Sequence, residues 1–166
     1  MKSLLFKILL FVRPSIVYQQ IAQHMMSSLP FAQLLGIRID AIGPGTAETS
    51  MPDDAKLHNH IGTQHAGALF TLAETASGAA MAGGFAELIM QLRPLAKQAT
   101  IRYQKVAQGG TLARAKVEGD LAALKAQLHA ERKLAFPVQV DIFDSAGVQV
   151  CQMQVDWHLS FKEPKA

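Results

Sequence analysis

The chain has little of what marks several large functional classes. Its 166 residues include one cysteine, Cys151, so no intramolecular disulfide framework is possible. A chain so poor in cysteine suits a reducing compartment, and a cytoplasmic location is expected. Charge is also sparse: 17% of residues are Asp, Glu, Lys or Arg, and the net charge is +3. No basic run with interleaved aromatics occurs, which argues against a nucleic-acid surface. The mild positive balance suits acidic small molecules instead. No internal repeat, linker or low-complexity segment is visible. The apolar run in MKSLLFKILLFVRPS is interrupted by Lys7 and is too short to span a bilayer. No small-residue cleavage site follows it, so it does not read as a secretory signal. It is expected to be a short amphipathic helix packed on the domain rather than a membrane-surface anchor, with no stable membrane insertion.

What the chain does have is apolar residues, 49% of the total, enough for one domain with a full core. The rest is organised around residues 58–84, HNHIGTQHAGALFTLAETASGAAMAGG. The stretch opens with three histidines and an asparagine in eight residues. It then turns small and apolar, with a single carboxylate, Glu74. Its alanine content and lack of proline predict a helix over 65–81, with Gly83-Gly84 as the stop. Almost no charge lies on this helix, so it should be buried.

On either side the pattern changes period. Residues 15–35 read as helical, broken at Pro30. Residues 36–42 and 46–51 alternate and flank Gly43-Pro44-Gly45, which predicts a hairpin. Residues 85–92 are ambiguous between a helical turn and a short strand. Residues 99–107 and 111–118 alternate around Gln108-Gly109-Gly110. A helix is expected over 121–134, and strands over 136–143 and 148–161. Cys151 falls within the last strand and reads as a structural thiol. The expected class is α+β: an antiparallel sheet wrapped around a long central helix. Residues 1–33 are expected to form an N-terminal helical segment and 34–162 a single domain. One sheet on one helix leaves edges and a helix face uncovered, which favours a homodimer or a dimer of dimers.

The run Asn59-His60-Ile61-Gly62-Thr63-Gln64-His65-Ala66-Gly67-Ala68-Leu69, followed by Leu72-Ala73-Glu74-Thr75-Ala76, resembles the hotdog-fold acyl-CoA thioesterases of the phenylacetate-pathway type. Those proteins carry Asn, Gly, His-Gly-Gly and an acid nine residues after the His, the spacing that His65 and Glu74 keep. TIRYQKVAQGGTLARAKVE also looks like that family's strand-turn-strand pair. The resemblance covers residues 34–161 and is closest to uncharacterised hotdog proteins related to the C-terminal thioesterase domain of a bacterial acetyltransferase-fused protein. No acetyltransferase domain is present here. The first glycine of His-Gly-Gly is Ala66 in this chain, and the 121–134 helix is longer than the simple connection of many members. The resemblance implies a hotdog fold and hydrolysis of an acyl-CoA thioester to free acid and coenzyme A.

The residue types suit that chemistry. A helix start offers unpaired N–H groups and a positive dipole end. The amides of Ala66 and Gly67 are therefore candidates to hold an oxyanion. Glu74 in apolar surroundings is a candidate general base or nucleophile; both roles stay open, as does a structural ion pair. Asn59 is a candidate to orient the water or the carbonyl. His65 reads as a helix-start or hydrogen-bonding residue and, with Gly62, joins the substrate-binding set. Thr71, Thr75 and Ser77 lie within a turn of Glu74, where they either orient its carboxylate or pack. Phe70, Met81, Phe85 and Met90 are candidates for an acyl pocket, with core packing as the default. Arg93, Lys97, Arg102 and Lys105 are candidates for coenzyme A phosphates. No metal or cofactor is expected, since the spacings of His58, His60 and His65 match no zinc pattern. Two other readings remain. His60 stands fourteen residues before Glu74, as in hotdog hydroxyacyl-thioester dehydratases, but without their proline-rich stretch. A non-catalytic acyl-CoA-binding module is the third.

Overall fold

The computed structural model describes residue 10 and residues 12–163. The amphipathic segment expected near the N-terminus, residues 1–9 and 11, lies outside the described residues. Helix α1 (Pro14–Ser27) opens on a proline, which its first turn tolerates because that N–H has no helical partner. Pro30 then starts a one-turn helix, α2 (Pro30–Leu34). A hairpin follows, β1 (Arg38–Gly43) and β2 (Thr46–Met51), turning at Gly45 with φ +71°. The long helix α3 spans Ala66–Gly84. After it come β3 (Leu92–Tyr103), β4 (Thr111–Val117), helix α4 (Leu121–Glu131), β5 (Lys133–Phe143) and β6 (Gln149–Phe161).

The six strands form one antiparallel sheet in the order β1-β2-β4-β5-β6-β3. α3 lies across its concave side, in contact with β1, β2, β4, β5 and β6. This is the expected α+β hotdog layout. The alternation of β5 and β6 points Val138, Val140, Ile142, Met153, Val155 and Leu159 at the helix, all fully buried. Leu72, Ala73, Ala76, Ala79 and Ala80 meet them, and the short alanine side chains let sheet and helix approach closely. Cys151 is buried in the same layer, which pushes its thiol up to about 11.

Three expectations need correction. Gly83-Gly84 does not stop the helix short; α3 includes both, and Phe85 is its C-cap. The glycines serve packing: a Cβ on Gly83 would stand 2.2 Å from the carbonyl oxygen of Gly43 in the hairpin. The ambiguous residues 85–92 form turns and a 3-10 turn (Ile89–Gln91), and β3 then begins at Leu92, seven residues earlier than its alternation indicated. Finally, β3 and β4 are not a pair. β4 sits between β2 and β5, whereas β3 crosses to the far edge beside β6. Sequence adjacency around a Gly-Gly turn suggests a hairpin, but here the loop is a crossover. Pro94 fits that edge, where no ladder partner is needed on one side.

Candidate active site

The polar stretch before α3 is a closed loop built on Asn59. Its Oδ1 accepts from the amides of Ile61 at 3.0 Å and Thr63 at 3.2 Å, and its Nδ2 donates to Thr63 Oγ1 at 2.9 Å. Gly62 turns the chain with φ +77°, a conformation that favours glycine. Gln64 is 4% exposed and spends both amide protons on backbone carbonyls, Pro52 at 3.0 Å and Gly109 at 3.1 Å. His58 Nε2 bonds Asp53 Oδ1 at 2.6 Å, and His60 is exposed at the loop's turn. The loop is thus fastened at both ends before the helix begins.

His65 caps α3. Its Nδ1 accepts from the Gly67 amide at 2.9 Å, so the ring carries its proton, when neutral, on Nε2. The Gly67 N–H is therefore engaged. The Ala66 N–H has no hydrogen-bond partner among the described residues. Of the two candidate oxyanion donors, Ala66 is the one the fold leaves available.

One turn further along, Gly67, Phe70, Thr71 and Glu74 form an incompletely covered stripe on an otherwise buried helix. The Glu74 side chain is half-buried and has neither a hydrogen bond nor an ion pair among the described residues. Burial holds its pKa above the ordinary carboxylate value. A structural ion pair, one of the readings open in sequence, is not formed among the described residues. The neighbouring hydroxyls are also turned elsewhere. Thr71 Oγ1 donates to Gly67 O at 2.9 Å, and Ser77 Oγ donates to the Glu74 backbone carbonyl at 2.8 Å while accepting from Trp157 Nε1. Thr75, Ser77 and Met81 lie inside the core, and Phe70 packs against its edge. The structure thus does not bring Thr75, Ser77 or Met81 to an accessible surface of the chain. Phe85 stacks on Phe136 in the core with centroids 5.2 Å apart.

A groove of about 370 Å³ runs beside the helix start. Asn59, Ile61, Ala66 and Leu69 form one wall; Tyr103, Lys105, Val106 and Ala107 form the other. Tyr103 ends β3, and its hydroxyl donates across the groove to the Ala66 carbonyl at 3.0 Å. Sequence reasoning passed over Tyr103 because an aromatic at the end of an alternating strand looks like packing. Of the four basic candidates, Lys105 lines this groove. Arg102 instead lies with Gln139, Gln152 and Gln154 on the sheet's convex face, and Arg93 and Lys97 are exposed on β3. Among the described residues, no three His, Cys, Asp or Glu side chains converge as metal ligands would. Nor is any described helix long and apolar enough to cross a membrane, which leaves β-barrel crossing unaddressed.

A family model described as a domain of unknown function, DUF4442, matches residues 18–159. Among solved structures, a protein of unknown function from Pseudomonas aeruginosa, called a probable thioesterase, is 27% identical with TM-score 0.77, over 87% of this chain and 96% of that one. A thioesterase family protein from Silicibacter pomeroyi is 21% identical with TM-score 0.72, over 87% of this chain and 99% of that one. The E. coli PaaI protein, from the phenylacetic acid degradation operon, is 21% identical with TM-score 0.69, over 91% of this chain and 97% of that one. The last two likenesses speak to the fold alone. No curated protein matches.

Proposed function

The chain belongs to the DUF4442 family, and from its site we propose that it is a thioesterase that hydrolyses an acyl-CoA thioester to free acid and coenzyme A. One observation carries the reading: Glu74, a half-buried carboxylate, shares a helix with the N-terminal amide of Ala66, and neither has a partner among the described residues. A protein that buries an unpaired acid forgoes stability, and a raised carboxyl pKa is a common mark of an acid–base site. The likeness to a probable thioesterase supports the same activity. In this proposal the thioester carbonyl oxygen meets the Ala66 N–H, where the helix dipole stabilises developing negative charge. Glu74 either takes a proton from the attacking water or attacks the carbonyl itself. Asn59 acts through the loop it closes, which sets the direction of the Ala66 amide. Lys105, on the groove wall, is placed to meet a coenzyme A phosphate.

A single chain does not complete this site. Eight residues separate Ala66 from Glu74, about 12 Å along the axis, whereas reacting groups must approach within about 3–3.5 Å. Two copies with antiparallel α3 helices would set the amide of one against the carboxylate of the other, twice per dimer. The edge strand β3 supports this arrangement, since its outer side has no strand partner among the described residues. The proposed kinship to the thioesterase domain of acetyltransferase-fused proteins rests on the same loop-and-helix stretch. The test is release of free thiol from a panel of aromatic, medium-chain and branched acyl-CoAs. Turnover of at least one, abolished by Glu74→Gln, is expected; binding without thiol release from any would overturn the hydrolase reading.

A further inference from the structure

We propose that Tyr103 is a positioning residue for the oxyanion amide, tying the first peptide of α3 to the opposite wall of the groove. The inference rests on the thioesterase reading of that site. A helix start is the part of a helix most prone to fray, because its first amides lack intrahelical partners. An oxyanion donor must nevertheless be fixed in direction before the charge develops. The direction of the Ala66 N–H depends on the peptides on either side of it. On the upstream side, the His65 amide donates to Leu57 O at 2.8 Å. On the downstream side lies the peptide joining Ala66 to Gly67, and both of its polar ends are held. Its N–H donates to His65 Nδ1 at 2.9 Å, and its carbonyl accepts the Tyr103 hydroxyl at 3.0 Å. The last two bonds form one chain through that peptide: hydroxyl to carbonyl, then amide to imidazole. Each polarises the next, so the hydroxyl strengthens the bond that orients His65.

Two of these anchors are local to residues 57–67. Tyr103 is not: it comes from the end of β3, which runs along the far edge of the sheet. Its bond therefore couples the helix start to the sheet. Tyr103 is 49% exposed, so the bond contributes little to folding. A stability role is a poor explanation for it, and a geometric role is a better one.

Tyr103→Phe keeps the ring and removes the hydroxyl. The expected result is a fall in kcat of about tenfold, the scale of a small misplacement in a reacting geometry, with KM changed less than about twofold and Tm within about 2 °C of wild type. In the ligand-free protein, NMR should show the Gly67 amide and the His65 ring nitrogens shifted, as a weakened relay requires. A purely packing role would leave those signals in place. Unmoved Gly67 and His65 signals, or a wild-type kcat in Tyr103→Phe, would overturn the inference. A wild-type protein that releases no thiol would instead overturn the thioesterase reading, and the resonances would still show whether the tether exists.

Discussion

The two halves of α3 belong to one unbroken helix and have opposite fates. From Thr75 to Gly84 every residue is buried, and from Ala66 to Glu74 about half are not. The C-terminal half is covered on its outer side by α1, whose Met25 Cε stands 3.8 Å from where a Gly78 side chain would begin. Its end is pressed against the β1–β2 hairpin at Gly43 and Gly45. Ser77 there is paired, its hydroxyl accepting from Trp157 Nε1 at 3.2 Å. The N-terminal half carries an amide and a carboxylate that have no partner among the described residues. One half of the helix is fitted to the rest of the chain; in the proposed function the other half meets the substrate and a second copy. Unsatisfied polar groups at the surface of a well-packed element mark the place where folding was not the constraint.

Substitutions in the exposed half carry the largest expected effects. Glu74→Gln should lower thioester turnover at least about a hundredfold, the scale for losing a general base, with the fold retained. Ala66→Pro should have a comparable effect, about a hundredfold, by deleting one oxyanion donor. The backbone tolerates that change: Ala66 is the first helical residue, and His65 has ψ 136°, the extended conformation a following proline requires. Near-normal kcat in either variant would remove that residue from the mechanism.

The two variants together test which chains build a site. Chains carrying Ala66→Pro are mixed with chains carrying Glu74→Gln, each nearly inactive alone. With sites shared across a two-fold axis, each mixed dimer has one undamaged site. Half the dimers are mixed, so roughly a quarter of wild-type activity should return. If exchange is demonstrated and activity stays at the parental level, each site lies within one chain.

The buried half is sharpened by its glycines. Gly83→Ala would place a methyl 2.2 Å from a backbone oxygen, a clash that rigid neighbours cannot relieve. A loss of about 2–3 kcal/mol is expected, measured by denaturant unfolding, with turnover per folded molecule preserved. Gly78→Ala meets only Trp157 and Met25 at 3.6 Å or more, so the gain in helix propensity should dominate, about 0.5–1 kcal/mol. Equal stabilisation by both substitutions would mean that the hairpin does not pack on α3 as described.

Much of this was readable in sequence where local pattern and global fold agree. The bounds of β2, Thr46–Met51, follow from alternation after a Gly-Pro-Gly turn. The start of α3 follows from its composition. What was not readable depends on partners distant in the chain. Gly83-Gly84 looks like a helix stop until the hairpin is seen against it. The separation of β3 from β4 depends on sheet order, which no local period encodes. His65 capping Gly67 takes one of two apparently equivalent amides out of use, and only geometry reveals which. Tyr103 is 37 residues from the carbonyl it binds.

The smallest expected effect concerns pH and bears on the cost of leaving Glu74 buried. Burial raises its pKa in the folded state. Below the unfolded-state value both states hold the proton and the group affects stability little. As pH rises from that value through the folded pKa, the unfolded chain releases its proton first, so the folded state loses relative stability. Above the folded pKa the full cost is present. Glu74→Gln removes the titration while keeping the shape. The variant should therefore unfold at a higher denaturant concentration than wild type near neutral pH, and the gap should close as pH falls below the ordinary carboxylate range. Unfolding curves at several pH values measure this in the absence of substrate. A constant gap across that range would mean that Glu74 is not desolvated in solution. A gap that vanishes upon dimerisation would mean instead that a partner copy supplies a group that pairs with Glu74.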